Sequence, residues 1–98
     1  MIVSITGMVA GNPDHVNQFK RAEDKLYSEG HIVLNPMNIN QQLPYEKIIS
    51  IAHQMVYESD ALYCMKGWQN SEGSKLIHKY AVMLKKTIWF EDESEQSE

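Results

Sequence analysis

The first six residues, Met1-Ile2-Val3-Ser4-Ile5-Thr6, are largely β-branched and almost wholly apolar, the composition of a strand buried on both faces. Gly7 and Gly11 then bracket a tight loop, Gly7-Met8-Val9-Ala10-Gly11. Asn12-Pro13-Asp14 has the form of a helix start, with Asn as N-cap, Pro at the first helical position and an acid in the first turn. Val16, Phe19, Ala22 and Leu26 recur at helical spacing, and Gly30 supplies a left-handed stop. Residues 31–34 form a second strand that ends at Asn35-Pro36, and the polar run 37–43 reads as a loop. Pro44 opens a second helix with Ile48, Ala52, Met55 and Ser59 along one face. After Asp60, residues 61–65 are a third strand, followed by the glycine-bounded segment Gly67-Trp68-Gln69-Asn70-Ser71-Glu72-Gly73. A third helix carries Leu76, Ile77, Tyr80, Ala81 and Leu84 as its apolar stripe, with Lys85-Lys86 complementing its C-terminal dipole, and residues 87–90 are a fourth strand.

Strand and helix alternate throughout, which implies an α/β fold of the Rossmann or flavodoxin kind: a four-stranded parallel sheet with helices on both faces, three layers in all. In open sheets of this kind ligands lie beyond the carboxyl ends of the strands, near the point where strand order reverses. If strands one and three are central neighbours, the two glycine-bounded loops converge there.

The 98 residues make one domain, expected over residues 1–90, with an acidic tail over 91–98 that has no apolar residue and is expected to be disordered. So short a chain buries a limited core, which favours a homodimer or higher homo-oligomer. A net charge of −4 and a single arginine, Arg21, argue against a nucleic-acid polymer as partner. Cys64 has no partner for a disulfide, and the four histidines lack the close pairing of a metal site, so neither metal nor cofactor is expected. With no charged-then-apolar leader and no apolar run near the ~20 residues of a membrane span, a cytoplasmic protein is expected.

Two loops carry the candidate chemistry. The segment at residues 7–11 follows a strand and leads into a helix, so its amides can face an anion, although it lacks both the full dinucleotide glycine pattern and the Walker lysine. An ordinary turn accounts for it equally well. In the second loop Asn70, Ser71, Gly73 and Ser74 gather at a helix N-terminus, where free N–H groups and the helix dipole favour phosphate. Capping by Asn70 or Ser71 uses the same groups. Trp68 is suited to stacking on a base, to covering the sheet end or to a dimer contact. Cys64, mid-strand, reads as a buried inert thiol, His53 and His78 as ordinary helix residues, and Asp60 as lying at the end of its strand away from the ligand.

Taken together, the loop after strand one, the Asn-Pro after strand two and the segment SDALYCMKGWQNSEGSKLIHKYA (59–81) resemble the nucleoside 2-deoxyribosyltransferase superfamily. Within it the chain looks closest to a branch of small, often phage-encoded proteins of unknown function. The resemblance implies cleavage or exchange of the N-glycosidic bond of deoxynucleosides or their 5′-monophosphates, by a glutamate nucleophile on the third helix and a helper aspartate on the second. It maps a phosphate-holding serine onto Ser71 and the first ligand loop onto Gly7, Met8 and Gly11. The nucleophile position falls on Ile77 and the helper position on Ala52, neither of which can perform the step. The expectation is therefore a nucleotide- or nucleoside-binding pocket without its carboxylates, suited to sequestering or sensing a host nucleotide. Two alternatives stand beside it: an active transferase or hydrolase using a displaced acid such as Glu72 or His53, and an interaction module with a vestigial pocket.

Overall fold

The computed structural model describes residues 1–91. Four strands, β1 (Ile2–Thr6), β2 (Ile32–Leu34), β3 (Ala61–Cys64) and β4 (Thr87–Phe90), form one sheet in the order β2-β1-β3-β4, and each neighbouring pair is parallel. Three helices connect them: α1 (His15–Ser28), α2 (Tyr45–Glu58) and α3 (Glu72–Met83). This is the expected Rossmann-type α/β fold. Its switch point lies between β1 and β3, where the chain runs outward to β2 on one side and to β4 on the other.

Successive side chains on a strand point to opposite faces, and β1 and β3 use both. Val3, Ile5, Ala61, Tyr63 and Met65 pack with Phe19, Ala22 and Leu26 of α1. On the opposite face Leu62 and Cys64 pack with Val56 of α2 and with Ile77 and Ala81 of α3. Ser4 and Thr6 also turn to that second face. There the Ser4 hydroxyl pairs with Ser59 Oγ and reaches Met55 O at 3.1 Å, which fastens the C-terminal half of α2 to the sheet.

Several sequence-based expectations need correction. α1 begins at His15, with Asp14 rather than Asn12 at the N-cap position. Asn12 instead builds the turn before it: its Oδ1 accepts from Asp14 N at 3.2 Å and its Nδ2 donates to Met8 O and Gln18 Oε1. Val16 is 63% exposed, because it lies about 60–120° around the helix from Phe19, Ala22 and Leu26. Leu76 is likewise 55% exposed, about 130° from the mean direction of the buried Ser74, Ile77 and Ala81, so the inner stripe of α3 begins at a serine. The run 37–43 is not wholly irregular. A 3-10 turn, Pro36–Asn38, opens it, capped by the buried Asn35, whose Oδ1 accepts from Met37 N at 2.9 Å. Gly30 does adopt the left-handed conformation (φ 90°) after α1. Of the acidic segment 91–98, Glu91 is held in place: its N donates to Cys64 O at 2.9 Å and its Oε1 accepts from Lys66 N at 2.7 Å. The rest of that segment, 92–98, lies outside the described residues. No helix among the described residues is long and apolar enough to cross a membrane.

Cys64 is buried among these core residues, and burial pushes its thiol up to about 12. Because the folded value lies above that of a free thiol, this group favours the folded state below about pH 9 and that contribution is lost as pH rises toward 12. At pH 8 a disulfide-exchange reagent is expected to label Cys64 at least about tenfold more slowly in the native chain than in 6 M guanidinium. Equal rates would show that the thiol is accessible.

Candidate functional site

A cavity of about 310 Å³ opens between the carboxyl end of β1 and the facing sides of α2 and α3. Its floor is the sheet, through Ser4, Ile5 and Thr6. α2 supplies a wall from Ile48, Ile49, Ala52 and Met55, α3 another from Gly73, Ser74 and Ile77, and the segment after β2 a third from Pro36, Met37 and Gln41.

The two candidate loops meet at this cavity through one hydroxyl. Ser74 Oγ donates to Gly7 O at 2.7 Å and accepts from Thr6 Oγ1 at 3.0 Å, all within buried structure. Gly7 allows the approach on its other side, since a Cβ there would come within 2.2 Å of Met65 Cε. Ser71 is the N-cap of α3, its Oγ accepting from Ser74 N at 3.2 Å. Among the described residues, the amides of Gly7, Val9 and Ala10, and those of Glu72 and Gly73, donate to no other part of the chain. Apart from Glu72, these residues line the same cavity. Free amides thus lie in two segments beside a largely apolar chamber, one after β1 and one at the start of a twelve-residue helix.

Among the described residues no basic side chain lines the cavity. Arg21 is engaged elsewhere: its Nη2 lies 3.1 Å from Asp14 Oδ2, and hydrogen bonds from Asn17 and Arg21 hold the Asp14 carboxyl below its usual range. An anionic group bound here would rest on amides, hydroxyls and the α3 dipole.

Of the residues singled out in the sequence, Gly7, Ser71, Gly73, Ser74 and Ile77 line the cavity, and so does Ala52. Met8, Gly11, Trp68 and Asn70 do not. Met8 O accepts from Asn12 Nδ2, and Gly11 (φ 78°) turns the chain toward α1. Gly67 (φ 91°) opens a 3-10 turn, Trp68–Asn70, that carries the indole to the opposite flank of α3. There Trp68 packs on His78 and Phe90, with ring centroids 4.4 and 6.0 Å away, beside a separate hollow of about 240 Å³. Asn70 is exposed. The displaced acids are also elsewhere: the Glu72 side chain is 88% exposed and paired with Lys75 at 3.0 Å, while His53 Nδ1 contacts Ile49 O at 2.8 Å and its ring packs on Tyr80. Sequence reasoning missed Met37, Gln41 and Tyr45, which complete the cavity. Their only signal was position, just after β2 and at the first turn of α2.

Among chains of known structure that match in fold is a 2-desoxiribosyltransferase from Leishmania mexicana, with a TM-score of 0.73 at 17% identity over 91% of this chain. The matched region is 62% of that protein, so this chain spans less than two thirds of its length, and at this identity the likeness is one of fold. No curated protein matches the chain in sequence. Residues 1–90 match the family described as "Domain of unknown function (DUF4406)", and the chain belongs to that family.

Proposed function

We propose that this protein binds a nucleoside or nucleoside 5′-monophosphate in the cavity between β1, α2 and α3, and holds it without cleaving it. One observation carries the reading: amides and hydroxyls from two loops converge on a chamber whose lining, among the described residues, contains no carboxylate and no imidazole. Ile77 and Ala52 stand where the resemblance to deoxyribosyltransferases calls for acids, and both line the chamber. Replacing a pocket carboxylate by isoleucine removes a desolvation cost and adds apolar contact, which favours retention of a ligand over turnover. In this reading the base occupies the apolar part, against side chains such as Met37, Ile48 and Met55, and the sugar-phosphate faces Gly7, Ser71 and Gly73. The role that follows is sequestering or sensing a nucleotide in the cytoplasm. Exposed Tyr57, Leu76, Val82 and Met83 on the outer faces of α2 and α3 support assembly into a homo-oligomer.

Thermal unfolding against a panel of deoxynucleosides and their monophosphates tests the reading. A ligand at about ten times its Kd is expected to raise the melting temperature by about 5 °C or more, and chromatography should find no free base. Base release abolished by Glu72→Gln would instead establish a displaced-acid enzyme. Absence of any shift, with a protein partner captured, would favour the interaction module.

A further inference from the structure

A side chain outside the glycine-bounded loops reaches the start of α3. Tyr45, in the first turn of α2, lines the cavity although it is 66% exposed. Its hydroxyl stands over Gly73: a Cβ added there would lie 2.8 Å from Tyr45 Oη, 3.5 Å from Ile49 Cδ1 and 3.8 Å from Ser71 Oγ. Gly73 has no positive φ, so its lack of a side chain serves space rather than backbone conformation. That space is where the phenol rests.

Two hydroxyls therefore lie within 4 Å of one point beside Gly73. Ser71 Oγ accepts from Ser74 N but donates to nothing among the described residues, and Tyr45 Oη makes no hydrogen bond there. The amides of Glu72 and Gly73 are free beside them. Three of these donors, Tyr45 Oη, Ser71 Oγ and Gly73 N, belong to residues that line one cavity, with Glu72 N next to them at the positive end of α3.

Resting on the nucleotide-binding reading, we propose that Tyr45 is a specificity-determining residue of this site. Its phenolic O–H donates to a phosphate monoester oxygen seated over Gly73, opposite the hydroxyl of Ser71. The phenol thereby favours a ligand carrying a 5′-phosphate over the same nucleoside without one. It also joins α2 to α3 across the cavity mouth through the ligand.

The test compares Tyr45→Phe with the unaltered chain by calorimetric titration, using the four deoxynucleoside 5′-monophosphates and the four parent deoxynucleosides. Removing one hydrogen bond to a charged group is expected to weaken monophosphate binding by about tenfold or more and to leave nucleoside binding unchanged. Gly73→Ala, which keeps the phenol but displaces it, is expected to give the same selective loss. Monophosphate affinity unchanged in Tyr45→Phe, or an equal loss for both ligand classes, overturns the role of the hydroxyl while leaving nucleotide binding intact. If the unaltered chain binds neither class, the nucleotide-binding reading itself fails, and this assignment with it.

Discussion

Ile77→Glu is expected to cost the folded chain about 3–4 kcal/mol at pH 7, because it puts an unpaired carboxylate into buried apolar structure. Ile77 is 4% exposed and packs with Val56, Leu62, Cys64 and Ala81, none of which can pair with a charge. Desolvation raises the pKa of such a carboxyl in the folded state above its unfolded value of about 4.3. Below about pH 4 both states are protonated and the charge penalty is absent; it grows as pH rises toward the folded-state pKa and is constant above it. Urea unfolding of Ile77→Glu and Ile77→Gln at a series of pH values isolates the effect, since the amide keeps the shape and polarity without the charge. The difference between the two variants should vanish near pH 4 and be full at neutral pH. If Ile77→Glu proved as stable as Ile77→Gln at pH 7, the cavity would still accommodate a nucleophile's carboxylate. The argument that isoleucine at this position relieves a desolvation cost would then fall.

The fold was legible because each element carried a local signature that packing did not override. β1 is short and β-branched, Gly30 takes the left-handed stop, and α3 follows a serine that caps it. Alternation of strand and helix then leaves few arrangements once right-handed crossovers are required. The site was legible only in part, for a geometric reason. Residues 67–73 look like one functional segment in sequence, yet the 3-10 turn at Trp68–Asn70 divides them between the two flanks of α3. Ser71 and Gly73 face the cavity, whereas Trp68 turns to His78 and Phe90. Sequence spacing carries no sign of that division, because one Gly67 in the left-handed region sets it. Met37, Gln41 and Tyr45 were invisible for the opposite reason. Nothing in their chemistry marks them, and only the return of the chain from β2 to α2 brings them over the end of β1. The buried Ser74 has the chemistry of a ligand-binding hydroxyl, and it does line the cavity, but both of its side-chain hydrogen bonds run to β1 and the loop after it.

A second large effect is therefore expected from Ser74→Ala, which removes a hydroxyl that is donor to Gly7 O and acceptor for Thr6 Oγ1 at once. Alanine is smaller by a single oxygen, so little packing is lost, but a buried carbonyl and a buried hydroxyl are each left without that partner. Leaving such groups unsatisfied is expected to cost about 2–3 kcal/mol, more than an average hydrogen bond contributes. Its consequence for binding should exceed that of a remote substitution with equal destabilisation, because the broken link is the side-chain contact that fastens the loop after β1 to the start of α3. With the loops free to separate, the amides of Gly7 and Gly73 no longer present one fixed surface, and ligand affinity should fall by about tenfold. Val3→Ala, also buried in β1 but on the α1 side of the sheet, is the matched control: it should destabilise the chain with little change in affinity among the molecules that remain folded. Denaturant unfolding and titration of both variants separate the two consequences. Unchanged affinity in Ser74→Ala would show that the two loops hold their relative position without the serine, through the strand pairing of β1 and β3 alone.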